Sequence, residues 1–192
     1  MAGDLWLMRH GETEWSRSGS HTGNTDLPLT EAGVARAKAI GRFLARLNFA
    51  LVLTSPLKRA RETCRLAGYG EVAEIEPNLR EWNYGDYEGL TTAEIRARMP
   101  GWSIWSMGAS NGESIDEVAA RAKAVIERAA TVDGNVAMFA HGHILRVLTA
   151  RWLGLGPEDG RLFSLSTASV SILSHERETR VITLWNMCMD SP

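Results

Sequence analysis

Two cysteines and six prolines are all that the 192 residues contain, and no apolar run approaches bilayer length. Cys64 and Cys188 are too few for a disulfide scaffold and lack the paired spacing of a metal site. A membrane helix takes about 20 successive apolar residues, and the chain offers no such stretch. A secretory signal is not expected either, because Asp4 precedes the first apolar run and Arg9 and His10 close it. An excess of one charge is also missing: 21 Lys+Arg against 23 Asp+Glu give a net charge of -2. No overall field therefore draws the chain to nucleic acid or to an anionic membrane, and any anion site is local. Repeats and low-complexity linkers are absent too. With 44% hydrophobic residues for one core, the expectation is a single domain over residues 1–192, cytoplasmic, whose partner is a small molecule, with a homodimer left open.

What is present is an alternation of short apolar runs and amphipathic stretches. Leu5 to Met8 reads as a buried strand ending in Arg9-His10-Gly11. Thr30 to Leu47 reads as a helix with Thr30 as its cap and an apolar stripe through Val34, Ala37, Ile40, Leu44 and Leu47. Ala50 to Leu53 is a second strand, and Ser55-Pro56 predicts the cap and first turn of a helix carrying Arg59, Ala60 and Thr63. A weaker strand falls at Val72 to Ile75. Leu79 to Leu90 reads as a structured loop and Thr92 to Met99 as a short helix. Ser114-Ile115-Asp116-Glu117 is a capping box for a helix whose apolar face runs from Val118 to Ala129. Asn135 to Ala140 is a strand ending in His141-Gly142-His143, followed by a helix from Ile144 to Leu153 closed by Gly154. Val170 to Leu173 and Val181 to Leu184 predict a paired edge around a turn at 174–179. The sum is a three-layer α/β/α sandwich with a mostly parallel sheet, in which ligands bind at the carboxyl ends of strands. Two of those ends carry histidines.

The chemistry follows from which side chains meet there. A phosphate dianion takes forked cationic donors, which Arg9 and Arg59 supply, although each also reads as a solvated surface charge. A neutral His10 can attack phosphorus without a helper base, provided that one ring nitrogen is held as N–H by an acceptor. His141 can donate to phosphoryl oxygens, or simply cap a strand-end carbonyl. A zinc site built from His10, His21, His141 and His143 is the metal alternative, which two arginines oppose. Glu81 can supply a leaving group's proton, with Asp86 and Glu88 as rivals in the same loop.

Leu7-Met8-Arg9-His10-Gly11-Glu12-Thr13 resembles the signature of the histidine phosphatase superfamily, which includes cofactor-dependent phosphoglycerate mutases and many phosphatases. The stretch from Thr22 to Thr30, the stretch from Thr54 to Thr63, the Glu81 loop and Ala140-His141-Gly142-His143 extend the likeness over nearly the whole chain. The resemblance implies a phosphoglycerate mutase-like fold, phosphate binding by Arg9, Arg59 and His141, a phosphoryl group carried on His10, proton donation by Glu81, and no metal or other cofactor. Trp15-Ser16, the Arg80-to-Leu90 loop, Trp102-Ser103-Ile104-Trp105 and Phe139 to His143 look most like the sedoheptulose-1,7-bisphosphatase branch, which implies a sugar phosphate or bisphosphate. Ser16 stands where many members carry asparagine. Arg17, His21, Tyr84, Trp102 and Trp105 lie in loops that can line a sugar-phosphate pocket. His21 or Arg17 is a candidate for a second phosphate, while the tryptophans can equally be packing. Thr22, Gly23, Gly142 and His143 complete the expected substrate-binding set. Hydrolysis is favoured over mutase action because a chain this short has little material for a water-excluding lid. The alternatives are a primed phosphoglycerate mutase and a non-catalytic module that binds a phospho-ligand.

Overall fold

A computed structural model describes residues 2–189. Its elements are β1 (Ala2–Arg9), α1 (Glu14–Ser18), α2 (Glu31–Leu44), β2 (Leu51–Thr54), α3 (Lys58–Leu66), β3 (Glu74–Ile75), α4 (Thr92–Arg98), α5 (Ile104–Met107), α6 (Ile115–Ala130), β4 (Gly134–Ala140), α7 (Gly142–Trp152), β5 (Ser169–Glu176) and β6 (Thr179–Cys188). The two-residue period of a strand sorts the core into two halves. From β1, Leu5 and Leu7 point into one half and Trp6 and Met8 into the other. Val136 and Met138 of β4 join the first pair; Ala137 and Phe139 join the second. Helices α6 and α7 close the first half with Val118, Val125, Leu145 and Leu148. Helices α2 and α3 close the second with Ile40, Leu44 and Cys64. Helices therefore cover both faces of one sheet, as the sequence predicts.

The sheet has six strands in the order β3-β2-β4-β1-β5-β6. Strands β1, β2, β3 and β4 pair in parallel, and β5 runs antiparallel to β1 and to β6. The expected late pair exists, but β5 is an interior strand and only β6 forms the edge. The register sets Arg9 beside Ala140 and Thr54 beside Phe139, so β1, β2 and β4 release the chain at one end of the sheet.

Two element boundaries depart from the sequence reading. Helix α2 stops at Leu44 rather than Leu47, and the Tyr69 hydroxyl lies 2.9 and 3.3 Å from the carbonyls of Leu44 and Leu47. Helix α3 starts at Lys58 behind Leu57, with no side-chain cap, rather than directly after Ser55. The Ser55 hydroxyl accepts from Leu57 N–H at 3.3 Å and also meets His141 Nε2 at 2.7 Å. The short helices α1 and α5 were not predicted, since five and four residues are too few for a periodic signal. Among the described residues no helix is long and apolar enough to cross a membrane.

Candidate active site

His10 follows the last residue of β1, and its backbone is fixed on both sides: its N–H donates to Ala140 O at 2.9 Å, and Ala168 N–H donates to its carbonyl at 3.0 Å. The next residue, Gly11, lies against α2 so closely that a Cβ there would stand 2.6 Å from Gly33 O. Gly11 N–H donates to Thr63 Oγ1 on α3 at 2.9 Å, and Gly11 O lies 2.7 Å from His10 Nδ1. A carbonyl can only accept, so Nδ1 carries the proton and Nε2 keeps its lone pair. Burial, with help from Arg59 and Arg9, holds the His10 pKa well below the ordinary imidazole value. The ring is neutral at pH 7, which settles the nitrogen that the sequence leaves open.

Arg9, one residue earlier, donates from Nη1 to Leu165 O at 2.5 Å, and its Nε is buried without a partner among the described residues. A buried guanidinium N–H without a protein acceptor is open to a water or to an anion. Gly142 permits the approach, because a Cβ there would lie 3.3 Å from Arg9 Cζ.

Arg59 is fully buried and far more engaged than a simple anion clamp. Its Nε–H donates to His141 Nδ1 at 3.1 Å, Nη1 donates to Thr25 O at 2.9 Å, and Nη2 donates to Thr22 O and Gly23 O at 3.0 and 2.9 Å. Four of five N–H groups hold protein atoms. Because Nδ1 of His141 accepts, its Nε2 carries the hydrogen and donates to Ser55 Oγ. The rings of His10 and His141 stand 5.1 Å apart. Burial, Arg59 and His10 push the His141 pKa well below the ordinary value, so it too is a neutral donor.

Glu81 reaches the start of α7 and supplies the cap that His141 does not. Its Oε1 accepts from Trp82 N–H at 2.9 Å and Ile144 N–H at 3.0 Å, while Oε2 accepts from His143 N–H at 3.0 Å. Oε2 thus retains a lone pair at which a proton can sit. Of the three acidic candidates only Glu81 lines the cavity. Glu88 is turned inward to accept from Gly23 and Thr25 N–H at 2.8 and 3.0 Å, and Asp86 accepts from Ser110 and Asn111.

The cavity has a volume of about 160 Å³ and is lined by Arg9, His10, Ser16, His21, Glu81 and Tyr84, with Gly142, His143 and Arg146 completing its wall. A larger hollow of about 560 Å³ lies beside α3 and the β3 edge and contains no histidine. Thr22 also lines the small cavity. Gly23 does not line it: its N–H donates to Glu88 at 2.8 Å, its carbonyl accepts from Arg59 at 2.9 Å, and a Cβ there would meet Trp82 O at 2.6 Å. The Ser16 hydroxyl accepts from Thr13 N–H at 2.8 Å and closes a capping box on α1. The Tyr84 hydroxyl and His143 Nδ1 share a hydrogen bond of 2.6 Å, and burial raises the phenol's pKa and lowers the imidazole's.

Some expected residues are placed elsewhere. Arg17 points to solvent and pairs with Glu14 at 2.5 Å. Trp102 is buried behind His21, with its indole N–H on Gly108 O at 3.0 Å. Trp105 packs on Trp82 and His143 and does not line the cavity. Arg59 and His141 stand behind the wall. Conversely, Arg146 lines it without having been singled out. Its guanidinium lies over Trp105 at 4.6 Å and donates from Nε to Gly160 O at 3.0 Å. Its place one turn after His143 on α7 is the signal that could have found it. Ser55, whose sequence context suggests a cap, is also the partner of His141. Among the described residues no three His, Cys, Asp or Glu side chains gather to hold a metal ion.

Such a site can offer a lone pair to an electrophile, hold an anion on Arg9 and the first turn of α7, and deliver a proton from Glu81. The profile of the histidine phosphatase superfamily, branch 1, matches residues 5–187. An acid phosphatase of Mycobacterium tuberculosis is 39% identical over 184 residues, covering 94% of this chain and 90% of its own. A sedoheptulose 1,7-bisphosphatase of Saccharomyces cerevisiae is 36% identical over 182 residues, covering 78% and 67%. A solved Mycobacterium tuberculosis protein superposes with a TM-score of 0.91 at 36% identity, covering 98% of this chain and 99% of that one.

Proposed function

From a chain that belongs to the histidine phosphatase superfamily, we propose a phosphomonoesterase that works without a metal and hydrolyses small phosphorylated metabolites, sugar phosphates or bisphosphates among them. The observation that carries this reading is the tautomer of His10: Nδ1–H is tied to Gly11 O at 2.7 Å, and Nε2 is left as a nucleophile beside the unpartnered Arg9 Nε. In the first step Nε2 attacks phosphorus while the ester P–O bond breaks, and the departing oxygen takes a proton from Glu81. In the second step Glu81 accepts a proton from water, whose oxygen attacks the phosphohistidine and frees phosphate. Arg9 stabilises the charge on the equatorial oxygens together with the Gly142 N–H at the start of α7, the His143 and Ile144 N–H groups being held by Glu81. His141 acts through its Nε2–H, which exchanges Ser55 Oγ for a phosphoryl oxygen. The sedoheptulose bisphosphatase and acid phosphatase relatives support hydrolysis, and the small cavity supports a compact substrate.

Phosphate release from a panel of sugar mono- and bisphosphates, triose phosphates and phosphoglycerates, with and without EDTA, tests the reading. Release that survives EDTA and disappears in His10→Ala is expected. Phosphoryl transfer between phosphoglycerates without net release would instead identify a mutase. Ligand binding without any turnover would identify a binding module.

A further inference from the structure

Glu81 belongs to a loop that lacks regular backbone pairing on either side, yet its carboxylate must stand within hydrogen-bond reach of a leaving oxygen. Two residues outside the cavity hold that loop. Arg121 of α6 donates from Nη1 to the carbonyls of Asn78 and Arg80, each at 2.8 Å. Its Nε and Nη2 form a two-point contact with Glu113, both at 2.9 Å. Glu113 carries the hold past Glu81: Oε2 accepts from Asn83 N–H at 2.9 Å, its carbonyl accepts from the Trp82 indole at 2.8 Å, and its N–H donates to Asn83 O at 2.9 Å. The backbone is therefore gripped from 78 to 83, on both sides of residue 81. Side-chain exposures of 8% for Arg121 and 11% for Glu113 keep water from competing. Gly112 lets the strands of this knot close, because a Cβ there would lie 2.3 Å from Asn83 O.

We propose that Arg121 and Glu113 are positioning residues for the proton donor, setting where the Glu81 carboxylate stands relative to the leaving oxygen. The inference rests on the reading of Glu81 given above. Neither residue touches the cavity, so phosphate binding and the attack by His10 do not depend on them. What depends on them is the proton that the ester oxygen takes as its bond to phosphorus breaks. That proton is needed by a departing alkoxide and is dispensable for a nitrophenolate, which is stable as an anion.

The test compares kcat/KM on an alkyl phosphate and on p-nitrophenyl phosphate for the wild type, Glu81→Gln, Arg121→Lys and Glu113→Gln. Arg121→Lys keeps the charge but loses the fork that spans two carbonyls and a carboxylate. Misplacement of a reacting group by about 1 Å can cost on the order of 100-fold. A loss of about 10- to 100-fold on the alkyl ester with less than about threefold on the aryl ester is expected for Arg121→Lys, in the same direction as Glu81→Gln. Should Arg121→Lys fail to fold, the isosteric Glu113→Gln gives the same comparison. Equal losses on both esters, or none, in a protein whose Glu81→Gln variant is selective would overturn the positioning role and leave the proposed function standing. Equal behaviour of Glu81→Gln on both esters would overturn the donor assignment and the positioning role with it.

Discussion

Arg59 shows how much of the site's order depends on one side chain. Its fork joins the carbonyls of Thr22, Gly23 and Thr25 to the ring of His141, so it shapes the cavity rim and fixes a tautomer at once. Read from the sequence alone, Arg59 is a phosphate clamp whose removal costs charge stabilisation. The structure adds a fold cost. Arg59→Lys retains the cation but leaves at least two of the three carbonyls without their donor, the Gly23 carbonyl being buried and those of Thr22 and Thr25 part-buried, at about 1–3 kcal/mol each. A fall in unfolding free energy of about 2–4 kcal/mol, measured from the urea midpoint, is expected together with a loss of activity. An unchanged midpoint would show that the carbonyls find water and that the rim does not need the fork. Arg9, His10, Glu81 and His143 were legible because each stands in a motif at a strand end or in the aromatic loop. Ser55 and Arg146 were not, because a serine before proline looks like a cap and an arginine on an amphipathic helix looks like its solvated face.

Elements with strong local signals came through in the sequence and weakly signalled ones did not. Helix α6 has a complete capping box, with Ser114 Oγ accepting from Glu117 N–H at 3.3 Å and Glu117 Oε2 accepting from Ser114 N–H at 2.8 Å. The apolar face from Val118 to Ala129 matches the observed burial. Ser114→Ala removes one cap and is expected to cost about 1 kcal/mol, read as a lowered melting temperature with activity nearly intact. A cost near zero would mean that the packing of α6 on α7 alone defines where the helix starts. Helix α3 is the contrary case: Ser55-Pro56 reads as a cap without the Glu that completes the box at Ser114, and the serine hydroxyl is shared between His141 and Leu57 N–H while the helix begins behind Leu57. Tertiary demand at the site overrides the local rule. Strand β3 is only two exposed residues, Glu74 and Ile75, paired with Leu53 and Thr54 of β2.

At the scale of the whole molecule, the buried histidines tie stability to pH. His10, His141 and His143 are all held well below the ordinary imidazole pKa of about 6.5, burial being the first cause in each case. The unfolded chain takes protons on these rings as pH falls through that value while the folded protein does not, so the folded state loses stability toward acid. Each ring kept neutral one unit below its free pKa costs about 1.4 kcal/mol. The window from about pH 7 to 5 reports the histidines, with His21, which burial also lowers, adding in the same direction, because the lowered carboxylates Glu62, Glu76, Glu94 and Glu117 act at more acidic pH. The melting temperature is expected to fall by several degrees across that window, and by less in His143→Gln. A flat profile would mean that these rings gain protons in the folded state as readily as outside it.

The central claim is that His10 carries the phosphoryl group, and the direct measurement is rapid quenching of the enzyme during turnover followed by peptide mapping. With a hydrolysable phosphate ester and EDTA present, the expected result is an acid-labile phosphoryl group on the peptide containing His10, absent from His10→Ala. Full turnover by His10→Ala, or turnover that proceeds with no phosphorylated peptide and stops when EDTA is added, would contradict it.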